Sequence, residues 1–216
     1  MCFSGFAPYE EIARALLPVN DETGDGSHDS SHLVRVWNNA KAIQSEEGGD
    51  AELIAAAVLL HDCVQVPKDS PLRKSASRLS AEKARTVLMD VLGWKDARAK
   101  VAAEAIESHS FSAGVTPKSL EGRILQDADR LDAIGLIGIA RCFYTAGRLN
   151  SCLYDSSDPR AINRPLQDYK FALDHFPQKL LKLADGFKTP TGQRFARQRQ
   201  RGLEEFYRGF LEEIGG

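Results

Sequence analysis

A run of eight apolar residues in the first third of the chain constrains the fold more than any other feature. It extends from Leu53 to Leu60 and consists of leucine, isoleucine, valine and alanine. Eight residues are too few to cross a bilayer, which takes about 20, but a segment without a polar face suits a helix that is buried on every side. We therefore predict that this segment forms the central helix of a helical core.

Two residues that commonly bind metal ions, His61 and Asp62, follow the apolar run directly. Adjacent side chains on a helix point about 100° apart, but at a helix end both can reach the same ion. A carboxylate beside so much hydrocarbon is costly unless a cation or hydrogen-bond donors meet it. The sequence therefore indicates a functional site centred on His61 and Asp62.

Two further segments carry metal-binding residue types. His32 precedes the apolar run, and Asp129 follows it within Asp127-Ala128-Asp129-Arg130-Leu131-Asp132. A histidine, then His-Asp, then an aspartate resembles the HD-domain superfamily of metal-dependent phosphohydrolases. The resemblance is greatest to the small single-domain bacterial HD hydrolases, whose motifs are similar to His28-Asp29-Ser30-Ser31-His32 and to the segment from Asp127 to Gly135. It covers about residues 25 to 185.

The resemblance implies that His32, His61, Asp62 and Asp129 bind a divalent metal ion. Two imidazoles and two carboxylates suit Mn, Co, Ni, Fe, Zn or Mg and do not choose among them. Taken singly, each residue can instead be a satisfied part of the core. Asp127 is the alternative to Asp129, since residues two apart on a helix face about 200° apart. The resemblance favours Asp129.

Catalytic roles are predicted for Asp62, His109 and Asp132. Asp132 lies three residues after Asp129 on the same helix face, where it can orient a ligand or accept a proton. His109 can bind a second metal ion or protonate a leaving group. The alternative for His109 is an exposed histidine at a helix end, favoured by the helix dipole.

The other two histidines receive lesser roles. We expect His28 to cap a helix or to contact the metal ligands without binding the ion itself. His175 lies between aromatic residues in the sequence and is expected to be structural.

Basic residues are expected near a site of phosphoryl transfer, because the transferred group carries charge on its equatorial oxygens. We rank Arg35 first as a substrate-binding residue, since it lies three residues after His32, and Lys179 and Lys182 next. Three residues on the loop after His61-Asp62 are weaker candidates: Arg73, Lys74 and Arg78. Each of these can instead be a solvated surface charge.

Composition describes an ordinary soluble protein, with 43% hydrophobic and 27% charged residues. The net charge of −2 argues against a dedicated nucleic-acid-binding protein. We find no membrane-spanning stretch and no signal sequence, and the four cysteines lack Cys-x-x-Cys spacing, so we expect reduced thiols and a cytoplasmic location. The sequence is compatible with a homodimer and does not determine the oligomeric state.

The predicted fold is all-α, a single-domain HD-type helical bundle with a metal site in its core. We expect one domain over residues 1–216, with an HD-type core at about 25–185 and additional N- and C-terminal helices. The periodicity predicts these helices: 8–17, 30–45, 50–62, 81–92, 96–109, 119–147, 166–188 and 191–214. The segment from Gly147 to Pro165 is predicted to be a lid or binding loop.

The leading functional hypothesis is a metal-dependent phosphohydrolase that acts on a small phosphorylated metabolite, a nucleotide above all. A water activated by the metal would attack phosphorus. Pyrophosphohydrolysis of nucleoside triphosphates and hydrolysis of phosphomonoesters or phosphodiesters are all open. Two alternatives remain: a non-catalytic regulatory module that binds nucleotide or metal, and a di-iron oxygenase of the same superfamily, which needs more histidine ligands.

Overall fold

The computed structural model describes residues 3–19, 30–66, 70, 72, 75–110 and 113–215. Across these residues the regular structure is helical, with one isolated bridge between Cys152 and Phe171, and the all-α prediction is confirmed. The α-helices are α1 (Glu10–Leu16), α2 (Ser30–Glu47), α3 (Ala51–Leu60), α4 (Ala76–Leu92), α5 (Asp96–Glu107), α6 (Leu120–Asp132), α7 (Gly135–Arg148), α8 (His175–Gln178) and α9 (Pro190–Glu213).

Several predictions fall on residues outside the described ranges. They concern His28, Arg73 and Lys74. No helix in the described part of the chain is long and apolar enough to cross a membrane. Cys63, Cys142 and Cys152 are free thiols.

The chain divides into two compact units, Met1–Asp129 and Arg130–Gly216. The boundary falls within α6, directly after Asp129. The prediction of a single domain over residues 1–216 stays a prediction.

Helix α3 is the centre of the first unit. All eight residues of the apolar run are buried, and the helix packs against α1, α2, α4 and α5. The Asp50 side chain caps its N-terminus by accepting a hydrogen bond from the Leu53 amide at 3.0 Å. His61 is the C-cap residue, so the helix ends where the predicted metal ligands begin. The prediction of a helix buried on every side is confirmed.

The ends of α2 and α4 agree with the glycine positions in the sequence. Gly48 and Gly49 follow α2 with φ of +82° and +95°, and Gly93 follows α4 with φ of +64°. Glycine adopts these left-handed conformations without the steric penalty that a Cβ brings, and so ends a helix.

Two predicted helix starts in the first unit are wrong. Helix α1 begins at Glu10, two residues after Pro8. Helix α4 begins at Ala76, five residues before the predicted start at residue 81, and Ser80 lies inside it. The Ser80 hydroxyl accepts a hydrogen bond from the Val64 amide at 3.2 Å, so its partner is distant in sequence rather than at a helix end.

The predicted helix over 119–147 is two helices, α6 and α7. The break lies at Ala133 and Ile134, whose amides bond three residues back to Arg130 and Leu131. Gly135 then has φ of +72°, which a continuous right-handed helix does not allow. Apolar residues continue on both sides of the break, so hydrophobic periodicity does not reveal it.

The second unit contains a long irregular segment that is ordered by one arginine. Arg164 donates hydrogen bonds to the Asp174 carboxylate at 2.5 and 3.0 Å and to the Asp158 carbonyl at 3.1 Å. Its guanidinium also lies 4.5 Å from the centre of the Phe171 ring. These contacts hold the segment between α7 and α8 in place. Its role as a lid or binding loop stays a prediction.

The predicted helix over 166–188 is also wrong, because that stretch contains two short 3-10 turns and the four-residue α8. Helix α9 begins as predicted after Thr189, whose side chain accepts a hydrogen bond from the Gly192 amide at 3.0 Å. Aromatic rings from α7, α8 and α9 form the apolar core of this unit, and they are Phe143, Phe176, Phe206, Tyr207 and Phe210.

The substitution Leu59→Ala tests the central position of α3. Leu59 is fully buried, so the variant should lose about 2–5 kcal/mol of unfolding free energy through lost burial and a residual cavity. Leu136→Ala, at a side chain that is 75% exposed, is the matched control and should change stability by less than about 0.5 kcal/mol. Urea denaturation followed by circular dichroism measures both. Equal effects would contradict a core centred on α3.

Candidate metal centre

Five side chains with metal-binding atoms converge in the first unit. Each is positioned by a helix or by the turn that follows a helix. His32 belongs to the first turn of α2, His61 and Asp62 follow α3, His109 follows α5, and Asp129 belongs to α6. Four segments far apart in sequence therefore bring histidine and aspartate to the end of the central helix.

The first group comprises His32, His61 and Asp129. The Nε2 atoms of His32 and His61 are 3.4 Å apart. Asp129 Oδ1 lies 3.6 Å from His32 Nε2 and 3.9 Å from His61 Nε2. Donor atoms that share one ion are separated by about 3.0–3.6 Å when each is about 2.0–2.2 Å from the metal. The three atoms therefore lie at the separations of ligands on one cation, with a small adjustment of Asp129.

The second group comprises His61, Asp62 and His109, so His61 belongs to both groups. Asp62 Oδ2 is 3.5 Å from His61 Nε2, and Asp62 Oδ1 is 3.6 Å from His109 Nε2. The carboxylate of Asp62 thus lies between two imidazoles. The alternative of an exposed His109 is excluded, because His109 is only 5% exposed.

Backbone carbonyl groups orient two of the imidazoles. His61 Nδ1 is 2.8 Å from the Val58 carbonyl oxygen, and His109 Nδ1 is 2.6 Å from the Ile106 carbonyl oxygen. A carbonyl oxygen only accepts, so Nδ1 carries the proton in both rings and donates it. In the neutral imidazole this leaves the lone pair on Nε2, the atom that faces the other donors. Both rings are therefore in the tautomer that binds a metal through Nε2.

Burial and nearby charges shift the pKa values of His61 and His109 in opposite directions. Burial lowers the pKa of His61, and the negative charges of Asp62 and Asp129 offset this only in part. Burial alone would also lower the pKa of His109, but the polar contact with Asp62 and its negative charge outweigh it, and the pKa is raised. The site thus favours a neutral imidazole at 61, which is the form that binds a cation.

Cys63 is next to Asp62 but does not behave as a ligand. Its thiol is fully buried, and burial raises its pKa to about 11. Its sulfur belongs to neither group of metal-binding atoms, so Cys63 is not among the donors of the site.

Two residues that the sequence analysis missed hold the backbone next to a donor. Asn39 of α2 donates a hydrogen bond to the Ala128 carbonyl at 3.0 Å, one residue before Asp129. Gln126 of α6 donates to the Ser108 carbonyl at 2.7 Å, one residue before His109. Asn39 lies two helical turns after His32, and Gln126 one turn before Asp129. That spacing from the predicted ligands is the signal that could have identified them.

The structure places the other predicted residues as follows. Asp127 is fully buried but belongs to neither group of metal-binding atoms, which agrees with the choice of Asp129. Asp132 lies in the second unit, where its carboxylate accepts a hydrogen bond from Arg141 at 3.0 Å. The catalytic role predicted for Asp132 stays a prediction.

The candidate substrate-binding residues lie on both units. Arg35 of α2 donates to the Ser31 hydroxyl at 2.7 Å, on the helix that carries His32. Lys179 and Lys182 are exposed residues of the second unit. His175 Nδ1 donates a hydrogen bond to the Asp168 carboxylate at 2.9 Å, also in the second unit, and its structural role stays a prediction.

Comparison with known proteins identifies the family of the segment that contains these five side chains. The model of the HD domain family matches residues 30–134, a range that contains all five side chains. The YpgQ protein of Bacillus subtilis strain 168 is 32% identical over 218 residues, which covers 96% of this chain and 94% of that protein. The chain therefore belongs to the HD-domain superfamily, and its fold is that of the HD-superfamily hydrolases.

Solved structures of relatives share the fold over nearly the whole chain. The crystal structure of Bacillus subtilis YpgQ in complex with ADP is 30% identical, covers 96% of this chain and 95% of its own, and has a TM-score of 0.70. An HD-superfamily hydrolase from Bacillus thuringiensis is also 30% identical, covers 96% of this chain and 98% of its own, and has a TM-score of 0.71. HD domains bind divalent metal ions, and the cluster described above can hold one.

The substitution Asp129→Asn tests the first group. Replacing a charged ligand by a neutral amide should weaken binding of Mn²⁺ at least tenfold, as judged from the effects of altering metal sites. Asp90→Asn removes the same charge from an exposed position on α4 and is the matched control. Isothermal titration calorimetry of the metal-free proteins gives the affinities. Unchanged Mn²⁺ affinity in the Asp129 variant would remove Asp129 from the site.

Proposed function

We propose that this protein is a metal-dependent phosphohydrolase that acts on a nucleotide. The observation that carries the proposal is the convergence of three imidazole nitrogens and two carboxylates at the buried end of α3. Their closest separations are 3.4–3.9 Å, and two of the imidazoles have Nε2 oriented for coordination.

In this proposal His32, His61, Asp62 and Asp129 hold a divalent cation. Mixed nitrogen and oxygen ligands suit several first-row metals and magnesium, so the donor set does not select one of them. When bound, such a cation lowers the pKa of water and polarises a phosphoryl oxygen.

Asp62 and His109 are the proposed catalytic pair. The Asp62 side chain is 39% exposed, so its carboxylate is accessible to solvent and substrate as well as to the two imidazoles. His109 donates a hydrogen bond from Nδ1 to the Ile106 carbonyl, and its Nε2 lies 3.6 Å from Asp62 Oδ1. Asp62 can therefore take up a proton from the attacking water, and a protonated His109 can donate one to the leaving oxygen.

Support for a nucleotide substrate comes from the relative of known structure. Bacillus subtilis YpgQ has been crystallised in complex with ADP, and this chain matches it over 96% of its length. A nucleotide carries two to four negative charges on its phosphates, and Arg35, on the unit that contains the metal centre, is proposed to bind them. The substrate-binding roles of Lys179 and Lys182 stay predictions. Arg35 is the first candidate, because it lies one helical turn after His32 on α2.

A panel of nucleotides tests the reaction. Metal-free protein reloaded with Mn²⁺, Co²⁺, Ni²⁺, Fe²⁺, Zn²⁺ or Mg²⁺ should hydrolyse at least one nucleoside mono-, di- or triphosphate. Phosphate and pyrophosphate are measured separately, since their ratio distinguishes pyrophosphohydrolysis from removal of single phosphates. A nucleotide that raises the melting temperature of the metal-loaded protein, with no turnover under any metal, would instead support a regulatory binding module.

The substitution His109→Asn tests the proposed proton donor. An amide cannot donate as an acid, so kcat should fall about 10²–10⁴-fold, with a much smaller change in metal affinity. His175→Asn makes the same replacement in the second unit and should leave kcat within about twofold. If His109→Asn lowers metal affinity as much as kcat, His109 is a metal ligand and not the proton donor.

A further inference from the structure

The backbone that follows Asp62 is held by one face of helix α4. The Lys83 ammonium donates hydrogen bonds to the Cys63 carbonyl at 3.0 Å and to the Val19 carbonyl at 3.0 Å. The Ser80 hydroxyl accepts from the Val64 amide at 3.2 Å. Ser80 and Lys83 are three residues apart, so they lie on the same side of α4. Both residues that follow Asp62 are therefore bound by α4.

Such contacts matter because Asp62 lies beyond the end of α3. The helix ends at Leu60, and the Cys63 amide turns back to bond the Leu60 carbonyl at 3.1 Å. Past this point the helical hydrogen bonds no longer determine the backbone position, so side chains from elsewhere must do so. The two that the structure shows at Cys63 and Val64 are Lys83 and Ser80.

The position of this turn determines where the Asp62 carboxylate lies. Its two oxygens approach different imidazoles, at 3.5 Å from His61 Nε2 and 3.6 Å from His109 Nε2. A short aspartate side chain reaches both only if its backbone is correctly placed. His61, in contrast, is fixed by its own helix, through the Val58 carbonyl.

We propose that Lys83 and Ser80 are positioning residues of the metal centre, which place Asp62 between His61 and His109 by fixing the backbone at Cys63 and Val64. The proposal rests on the proposed function only in taking Asp62 as a metal ligand. Lys83 acts here through charge-assisted hydrogen bonds to carbonyl groups, which are stronger than neutral ones. It is assigned no contact with the substrate or the cation.

Cobalt binding to the metal-free protein tests this role. Lys83→Met keeps the aliphatic chain and removes the hydrogen-bond donor. It should weaken Co²⁺ affinity about tenfold or more, as loss of a residue that orients a metal ligand does. The visible absorption of bound Co²⁺ should also change, because it reports ligand geometry. Lys100→Met, at an exposed lysine of α5 that lies 3.9 Å from Glu104, is the matched control and should change neither.

Two more variants separate positioning from general stability. Lys83→Arg retains a charged donor and should recover part of the Co²⁺ affinity. Ser80→Ala removes only a hydroxyl group and should weaken Co²⁺ binding in the same direction, which provides the readout even if Lys83→Met does not fold. A lower melting temperature in both variants with wild-type Co²⁺ affinity and spectrum would overturn the proposal and leave a purely structural contact.

The same measurements distinguish this proposal from the function above. Weakened Co²⁺ binding in Lys83→Met, together with no nucleotide turnover by the wild-type protein, would support positioning and contradict the hydrolase activity. Turnover by the wild-type protein with unchanged Co²⁺ affinity in Lys83→Met and Ser80→Ala would support the hydrolase activity and contradict the positioning role. A wild-type protein that binds no Co²⁺ would contradict both.

Discussion

The burial of His61 is the constraint on which the rest of the site depends. The imidazole is fully buried at the end of an apolar helix, where each ring nitrogen must find a polar partner. The Val58 carbonyl satisfies Nδ1, which leaves Nε2 directed toward His32, Asp129 and Asp62. A single hydrogen bond within the helix thus orients the imidazole that is common to both groups of metal-binding atoms.

The proposed metal chemistry follows from what surrounds that nitrogen. Burial lowers the pKa of His61, so the ring favours the neutral state, and with Nδ1 protonated this leaves a lone pair on Nε2 for a cation. A divalent cation would accept lone pairs from the imidazole nitrogens and balance the negative charges of the two carboxylates. This is the same arrangement that suits hydrolysis of a phosphate ester, because positive charge is needed where the anionic group reacts.

Hydrogen bonds of one kind hold the backbone next to three of the metal-binding side chains. Beside each of three donors, a side chain from a neighbouring helix binds a backbone carbonyl: Asn39 beside Asp129, Gln126 beside His109, and Lys83 beside Asp62. Each contact acts on the adjacent residue and leaves the donor's own side chain available. The elements that carry the donors are therefore held relative to one another by hydrogen bonds as well as by apolar packing.

The sequence by itself determined the central helix with His61 and Asp62 at its end, because an apolar run is a local property. The preference for Asp129 over Asp127 came from the resemblance to the family. The sequence did not determine the break before Gly135, the partner of Ser80 or the burial of His109. The partner of Ser80 and the burial of His109 depend on contacts between residues 16 or more positions apart, which a local sequence pattern does not reveal. Only the tertiary structure decided that His109 joins the site, since α5 packs against α3 and brings its last turn to Asp62.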